Sequence, residues 1–140
     1  MAFNADDAKC NASTTTVLLQ IQGEGGTGKS KVIQTITGLF NSKGVQSWLI
    51  KSAYTSIAAS LIGGDTTHRI GGLTMNGKGM GAAGKAILED RWKEGRYLII
   101  DEVSMIAKKT LANISCNIAA AKRASSVRAL SKFCSKHKCS

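Results

Sequence analysis

Eight residues near the start of the chain have the types and spacing of a phosphate-binding loop, G-x-x-x-x-G-K-[ST]. Its predicted contact residues are Gly23, Gly25, Gly26, Thr27, Gly28, Lys29 and Ser30. Glycines let the backbone approach a polyphosphate, so that successive N–H groups face its negative oxygens. Lys29 adds a positive charge near the β- and γ-phosphates, and the Ser30 hydroxyl suits Mg²⁺. The loop therefore predicts a nucleoside triphosphate site, and the competing interpretation is a glycine-rich turn that matches by chance.

Two adjacent carboxylates, Asp101 and Glu102, directly follow an apolar run that starts at Tyr97. A continuous apolar run suits a strand buried on both faces of a parallel sheet, and α/β sheets place ligands at the carboxyl ends of such strands. We expect Asp101 to hold Mg²⁺ through water, and Glu102 to orient and deprotonate the attacking water. Surface turns also produce such pairs, but the position downstream of a phosphate loop favours the catalytic interpretation.

The elements that must position these residues are legible from hydrophobic spacing. Strands are predicted over 17–22, 45–50 and Tyr97–Asp101, and helices over 29–40, 56–62 and 85–93. After Met105 the chain reads as a further helix, whereas the glycine-rich segment 63–84 reads as a loop. The stripe of Ile87, Leu88 and Trp92 predicts core packing. This order predicts an α/β fold with a strand–helix–strand crossover.

Composition limits the number of domains, the partners and the location that can be expected. The 140 residues suffice for one domain, and their formal net charge is +10. Most of that charge lies after Met105, where the chain has no acidic residue; such a tail either contacts nucleic acid or is a solvated helix face. No apolar run approaches the roughly 20 residues of a membrane span, so no membrane partner is expected. Four cysteines without framework spacing predict reduced thiols and an intracellular location.

Four segments, in order along the chain, resemble motifs of the Pif/RecD-type superfamily-one 5′-to-3′ DNA helicases, including their helitron-like relatives. Residues 25–30, G-G-T-G-K-S, resemble the family's motif I. Residues 52–59, S-A-Y-T-S-I-A-A, are similar to its motif Ia, T-A-P-T-G-x-A-A, with Tyr54 for Pro and Ser56 for Gly. Residues 62–68, I-G-G-D-T-T-H, contain G-x-T-x-H, and residues 98–105, L-I-I-D-E-V-S-M, match motif II, L-I-I-D-E-x-S-M.

The resemblance implies a RecA-like P-loop NTPase domain that binds ATP with Mg²⁺ and contacts single-stranded DNA. Through motif Ia it implies that Thr55 and Ser56 contact DNA phosphates; the alternative is that they cap the helix that follows, and both can hold together. It also implies a nuclear or mitochondrial protein, if eukaryotic, of the class active in DNA repair, recombination and telomere maintenance. It does not indicate an oligomeric state.

The chain departs from the family pattern in three places. Asp7 stands where an adenine-reading Gln is expected, and a carboxylate cannot donate as an amide does. The family's motif III, G-D-x-x-Q, and the second RecA-like domain are missing. In RecA-type sheets the strand after motif II lies between the motif I and motif II strands, so the resemblance implies an incomplete sheet. We expect a partial ATP-binding domain over 1–121 and a basic tail over 122–140, either disordered or helical.

Three functions remain open at this point. The first is an N-terminal fragment of an ATP-dependent DNA helicase. The second is a nucleotide-binding module without turnover, because no arginine finger is evident. The third is a small P-loop kinase or stand-alone ATPase. A kinase needs a lid with arginines, and segment 63–84 has only Arg69, so the kinase is the least favoured.

Overall fold

The computed structural model describes residues 19–24, 26–74 and 80–136 of the chain, with side chains through Ser126. Its centre is a three-stranded parallel sheet in the order β2–β1–β3. The strands are β1 (Leu49–Ala53), β2 (Asp65–Thr66) and β3 (Tyr97–Asp101). In the register of β1 and β3, Leu49 lies opposite Tyr97 and Ala53 lies opposite Asp101. The two longer strands therefore end level with each other, which brings the residues that follow them together.

Five α-helices accompany the sheet in the described part of the chain: α1 (Lys29–Ser42), α2 (Ser56–Leu61), α3 (Thr67–Ile70), α4 (Ala82–Trp92) and α5 (Lys108–Lys136). Short 3₁₀ turns lie at Gln46–Trp48 and Val103–Met105. The helices cover both faces of the sheet, as parallel strands require. None of these helices combines the length and the apolar character needed to cross a bilayer.

Successive side chains of β3 point to opposite faces of the sheet, and the core has one cluster on each face. Ile99 packs with the cluster formed by Ile33 of α1, Ala53 of β1, and Ala59 and Ile62 in and after α2. Leu98, which points to the opposite face of a strand, packs with Ile70, Leu88, Trp92 and Ala121 on α3, α4 and α5. The indole N–H of Trp92 donates to the Ile70 carbonyl at 3.1 Å, so this large side chain is buried without an unpaired donor.

The first predicted strand does not form in the described residues. Residues 17 and 18 lie outside them, and residues 19–22 have no strand pairing. Leu19 and Ile21 are 80% and 50% exposed. A strand needs a hydrogen-bonding neighbour. In the sheet that the resemblance implies, a further strand lies between this segment and β3. The described residues contain no such strand, so residues 19–22 lack their neighbour and the outer edge of β3 stays unpaired. The expectation of a strand over 17–22 is therefore wrong for its described part.

Other boundaries also differ from expectation. The second strand begins at Leu49 because residues 46–48 form a 3₁₀ turn. The segment 63–84, expected as a loop, contains β2, α3 and the start of α4. The α4 stripe is only partly core: Leu88 and Trp92 are buried, whereas Ile87 is 66% exposed. Helices α1 and α2 and strand β3 lie where the spacing predicts, within two residues at each end.

Helix α5 runs through residue 121, where the boundary between domain and tail was expected. Ile114 and Ala121 of this helix are buried. The Asn117 amide donates to the Gly71 carbonyl at 2.8 Å, and the Ser125 hydroxyl donates to the Glu89 carbonyl at 3.1 Å. These contacts attach α5, up to its residue 125, to α4 and to the residue that follows α3. The domain limits themselves stay a prediction.

Candidate functional site

The glycine-rich loop leads directly into α1, whose first residue is Lys29. Gly28 precedes the helix with φ 88°, in the left-handed region that favours glycine, and no side chain caps the helix start. A Cβ on Gly23 would lie 2.7 Å from Thr27 Oγ1, so a side chain there would disturb the loop. Local backbone chemistry thus explains two of the glycines, and it leaves helix N–H groups available for an anion.

Lys29 and Thr27 hold the loop together from inside. The Lys29 ammonium donates to the Gly23 carbonyl at 2.6 Å and to the Glu24 carbonyl at 2.5 Å. The Thr27 hydroxyl donates to the same Glu24 carbonyl at 2.8 Å. An ammonium has three N–H donors, so two bonds to carbonyls leave one for a phosphate oxygen. Ser30 is exposed in the first turn of α1, Gly26 is exposed beside the loop, and Gly25 lies outside the described residues.

The acidic pair ends β3 in an unusual backbone conformation. Asp101 is the last residue of the strand, and its Oδ1 accepts a hydrogen bond from the Glu102 amide at 2.9 Å. Glu102 has φ 55°, and it is the only non-glycine residue with positive φ in the described part of the chain. Such a conformation costs an ordinary residue about 1–2 kcal/mol and concentrates at functional sites. The strand-to-turn transition therefore fixes the direction in which the Glu102 side chain leaves the sheet.

Thr55 joins the two strand ends. Its Oγ1 accepts from the Ala58 amide at 3.2 Å and so caps α2, as one of the two interpretations of this residue expected. The same hydroxyl donates to Glu102 Oε2 at 3.4 Å. Ser56, the first residue of α2, is exposed beside it. The segment resembling motif Ia and the acidic pair of motif II are therefore in direct contact.

The phosphate loop approaches the same edge of the sheet. Ile33 lies one turn into α1 and packs in one cluster with Ala53 and Ile99. Ala53 is the register partner of Asp101. The first turn of α1 is therefore close to the carboxyl ends of β1 and β3, where doubly wound α/β proteins bind their ligands. Of the predicted site residues, Thr55 and Glu102 are in direct contact, whereas the Lys29 ammonium bonds to carbonyls of its own loop.

The oxygen donors at this edge suit Mg²⁺ better than a transition metal. Among the described residues there is no group of three or more His, Cys, Asp or Glu side chains that could hold an ion. Mg²⁺ does not need such a group, because it keeps several waters and is commonly held by one or two protein oxygens together with phosphates. The Asp101 carboxylate and the Ser30 hydroxyl are hard oxygen ligands of the required kind. The donor set therefore fits the expected metal.

Sequence reasoning missed several polar residues that support this edge. Ser52 is fully buried and donates to the Ile99 carbonyl at 3.1 Å. Thr67 is 2% exposed and donates to the Ala53 carbonyl at 3.0 Å. Asp65 pairs with Arg69 at 3.0 Å and with Arg91 at 2.8 Å. No local signal distinguishes a buried Ser or Thr from an exposed one, since each contact depends on a distant strand or helix.

His68 lies near the site but outside its hydrogen-bonded part. It is exposed on α3, and its ring centroid is 5.9 Å from that of Tyr54, at an interplanar angle of 58°. This geometry is a tilted aromatic contact. The expected adenine-reading segment around Asp7 lies outside the described residues.

Comparison with known proteins gives one family and three curated relatives. The PIF1-like helicase family model matches residues 5–130. The ATP-dependent DNA helicase RRM3 of Saccharomyces cerevisiae is 35% identical over 89 residues, which are 60% of this chain and 12% of that protein. The ATP-dependent DNA helicase PIF1 of Xenopus laevis is 33% identical over 96 residues, 60% of this chain and 13% of that protein.

The ATP-dependent DNA helicase PIF1 of Candida albicans is 36% identical over 98 residues, which cover 64% of this chain and 10% of that protein. The chain therefore spans only about a tenth to an eighth of the length of the curated relatives that it matches. No solved structure matches it significantly.

Proposed function

Because this chain belongs to the PIF1-like helicase family, we propose that it carries the ATP-binding motifs of an ATP-dependent DNA helicase that unwinds DNA 5′-to-3′. Such a protein serves DNA repair, recombination or telomere maintenance. The register of β1 and β3, which sets Ala53 opposite Asp101, is the observation that best supports the proposal. That register brings the segment that resembles motif Ia next to the acidic pair of motif II.

ATP binding is assigned to the glycine-rich loop and the start of α1. Backbone N–H groups and the positive end of the helix attract the phosphates. Lys29 exchanges its bonds with the Gly23 and Glu24 carbonyls for charge-assisted bonds to phosphate oxygens. Ser30 and Asp101 would hold Mg²⁺, which when bound neutralises charge that develops on the phosphates.

Hydrolysis is assigned to Glu102. Its carboxylate leaves the turn after β3, where it can accept a proton from a water and orient that water toward the terminal phosphate. An arginine finger contributes on the order of 10³–10⁵ in rate in comparable enzymes. Since none is evident within this sequence, turnover by the chain alone should be slow, and efficient hydrolysis requires an arginine from elsewhere.

Single-stranded DNA is assigned to Thr55 and Ser56. Both lie at the N-terminus of α2, where hydroxyl groups and helix N–H groups face an anion. These contacts reach only the sugar–phosphate backbone, so they predict binding without base preference. Thr55 lies within hydrogen-bonding distance of Glu102, and this contact supports a connection between the proposed DNA site and the proposed hydrolytic base.

A nucleotide-binding experiment tests the proposal. Lys29→Ala removes a charge-assisted contact worth about 1.5–3 kcal/mol, so a labelled ATP analogue should bind roughly tenfold more weakly or worse. Lys31→Ala is the matched control, because Lys31 is an exposed lysine two residues further along α1, and affinity should stay unchanged. Titrations with and without Mg²⁺ should differ for the wild-type chain. Equal affinity of the two variants would refute the assignment of the loop.

A further inference from the structure

We propose that Thr55 is a positioning residue that links DNA binding to hydrolysis, because its one hydroxyl proton can serve either Glu102 or a DNA phosphate. In the described structure the proton serves Glu102. DNA at Thr55 takes the proton and releases the carboxylate, which is then free to orient water. This inference rests on the proposed function and adds the residue that connects DNA binding with ATP hydrolysis.

The contact between Thr55 and Glu102 follows from the register of β1 and β3. Ala53 and Asp101 are partners across β1 and β3, so Thr55 and Glu102 follow strand ends that lie level with each other. Thr55 Oγ1 donates to Glu102 Oε2 at 3.4 Å. The two residues are 47 positions apart in sequence, so only the parallel pairing of the strands brings them together. Both side chains are accessible to a ligand at this edge, since Thr55 is exposed and Glu102 is half-buried.

Counting donors and acceptors makes the two partners exclusive. A threonine hydroxyl has one proton to donate and two lone pairs that accept. The Ala58 amide already occupies one lone pair as the N-cap of α2. Ionised Glu102 and a DNA phosphate can only accept, so each of them competes for the same single proton. The cap bond survives the exchange, and α2 can stay in place while the proton changes partner.

The backbone at Glu102 is fixed, so the contact with Thr55 affects where the side chain lies. Its φ of 55° and the bond from its amide to Asp101 Oδ1 fix the main chain at this residue. The remaining freedom is in the side chain, whose Oε2 accepts a long hydrogen bond of 3.4 Å from Thr55. A carboxylate oxygen that accepts from Thr55 has one lone pair fewer for water. Loss of the Thr55 bond therefore changes both the position and the accepting capacity of Glu102.

A double-mutant cycle measures the competition directly. We would compare the wild type, Thr55→Val, Glu102→Met and the double variant for binding of a fluorescent oligothymidylate. Glu102→Met removes the competing acceptor, so DNA should bind about threefold to tenfold more tightly when Thr55 is present. In the Thr55→Val background there is no proton to free, and only the general gain from removing a negative charge remains. That general gain is common to both backgrounds and cancels in the cycle.

Thr55→Ser is the matched control, because serine keeps both the proton and the cap. It should restore the coupling to Glu102 that Thr55→Val abolishes. NMR provides a second measurement, which depends neither on ATP turnover nor on the double-mutant cycle. Side-chain carboxyl NMR should show the Glu102 carbon signal moving when the oligonucleotide is added to the wild type and to Thr55→Ser. In Thr55→Val the signal should start at the shifted position and respond little.

The outcomes separate this inference from the proposed function. Tight DNA binding with no coupling between Thr55 and Glu102, or a Glu102 signal unmoved by DNA in the wild type, overturns the inference and leaves the function. Absence of DNA binding in every form, with ATP-analogue binding intact, overturns the DNA part of the function and the inference with it. Should Thr55→Val fail to fold, the wild-type and Thr55→Ser signals decide the question.

Discussion

Glu102 combines a proposed chemical role with a backbone conformation that its own side chain disfavours. A residue with a Cβ loses about 1–2 kcal/mol in the left-handed region, and glycine does not. The surrounding turn imposes this conformation, since the next residues form a 3₁₀ turn and Asp101 holds the Glu102 amide. Strain maintained at a proposed reacting group is consistent with selection for position ahead of stability.

Because of this strain, we expect glycine to be more stable than alanine at position 102, the reverse of the usual order. Glu102→Gly should be more stable than Glu102→Ala by about 0.5–1 kcal/mol, because relief of the left-handed conformation exceeds the entropy that glycine costs. Both variants lose the Thr55 contact equally, so the comparison isolates the backbone. Urea unfolding of the two variants measures the difference.

The control for that prediction is an exposed helical position. At Lys85 in α4, glycine should be less stable than alanine by about 1 kcal/mol, the usual order. If glycine were the less stable substitution at both positions, Glu102 would carry no backbone strain in solution.

Helix α5 is the element whose role the sequence left most open. It packs on α3 and α4 through Ile114 and Ala121, and its basic side chains begin to meet the core at Lys122. The Lys122 ammonium lies 5.9 Å from the Trp92 ring centroid. Burial lowers the pKa of Lys122 below its ordinary value, and the nearby Arg96 guanidinium lowers it further. This part of the tail therefore lies against the folded domain.

The lowered pKa of Lys122 predicts a pH dependence of stability with a definite sign. The folded state gives up the Lys122 proton at lower pH than the unfolded state, so the unfolded state binds more protons between the folded pKa and 10.5. Stability should therefore rise with pH in that window, and the cost of the charged form is fully present below it. Lys122→Met should raise stability at neutral pH and flatten this rise.

Lys109→Met provides the control for that prediction. Lys109 is exposed on the same helix, and its replacement should leave the slope of stability with pH nearly unchanged. Chemical unfolding at a series of pH values gives the measurement. A wild-type slope that Lys122→Met leaves intact would show that the rise has another origin.

At the scale of the whole molecule, the sheet that the described residues form is small, and β3 is one of its edges. In the described residues β3 pairs only with β1, so one row of its N–H and C=O groups has no strand partner. A domain retains a margin of only about 5–15 kcal/mol, and a long apolar edge strand invites pairing with other chains. The two clusters on either side of the sheet are also modest in size. The isolated chain should therefore be marginally stable.

Calorimetry and hydrogen exchange test this expectation together. Purified residues 1–140 should melt broadly or aggregate, and light scattering should show association that grows with concentration. Amides of β1, the central strand, should exchange more slowly than those of β3. A sharp, reversible transition with protection in residues 19–22 as well as in β3 would show that another strand completes the sheet.

Local patterns in the sequence determined the parts of this protein that depend on neighbours a few residues away. Gly28 before Lys29 sets the loop and starts α1, and the apolar spacing of α1 and the run into Asp101 predicted their elements almost to the residue. These features follow from backbone conformation and from i, i+3 and i+4 contacts, which any short window contains. The order of the motifs likewise identified the family before any coordinates.

Tertiary structure alone decided which strands pair and which of their residues meet. Residues 19–22 are apolar enough for a strand, yet they form none, because the strand that would separate them from β3 in a RecA-like sheet is absent from the described residues. Asp65–Thr66 are short and polar, yet they pair with Ser52 and Ala53 of β1. The contact of Thr55 with Glu102 depends on the register of two strands that are far apart in sequence. Strand pairing joins residues that are far apart in sequence. A site assembled from strand ends therefore depends on the tertiary structure.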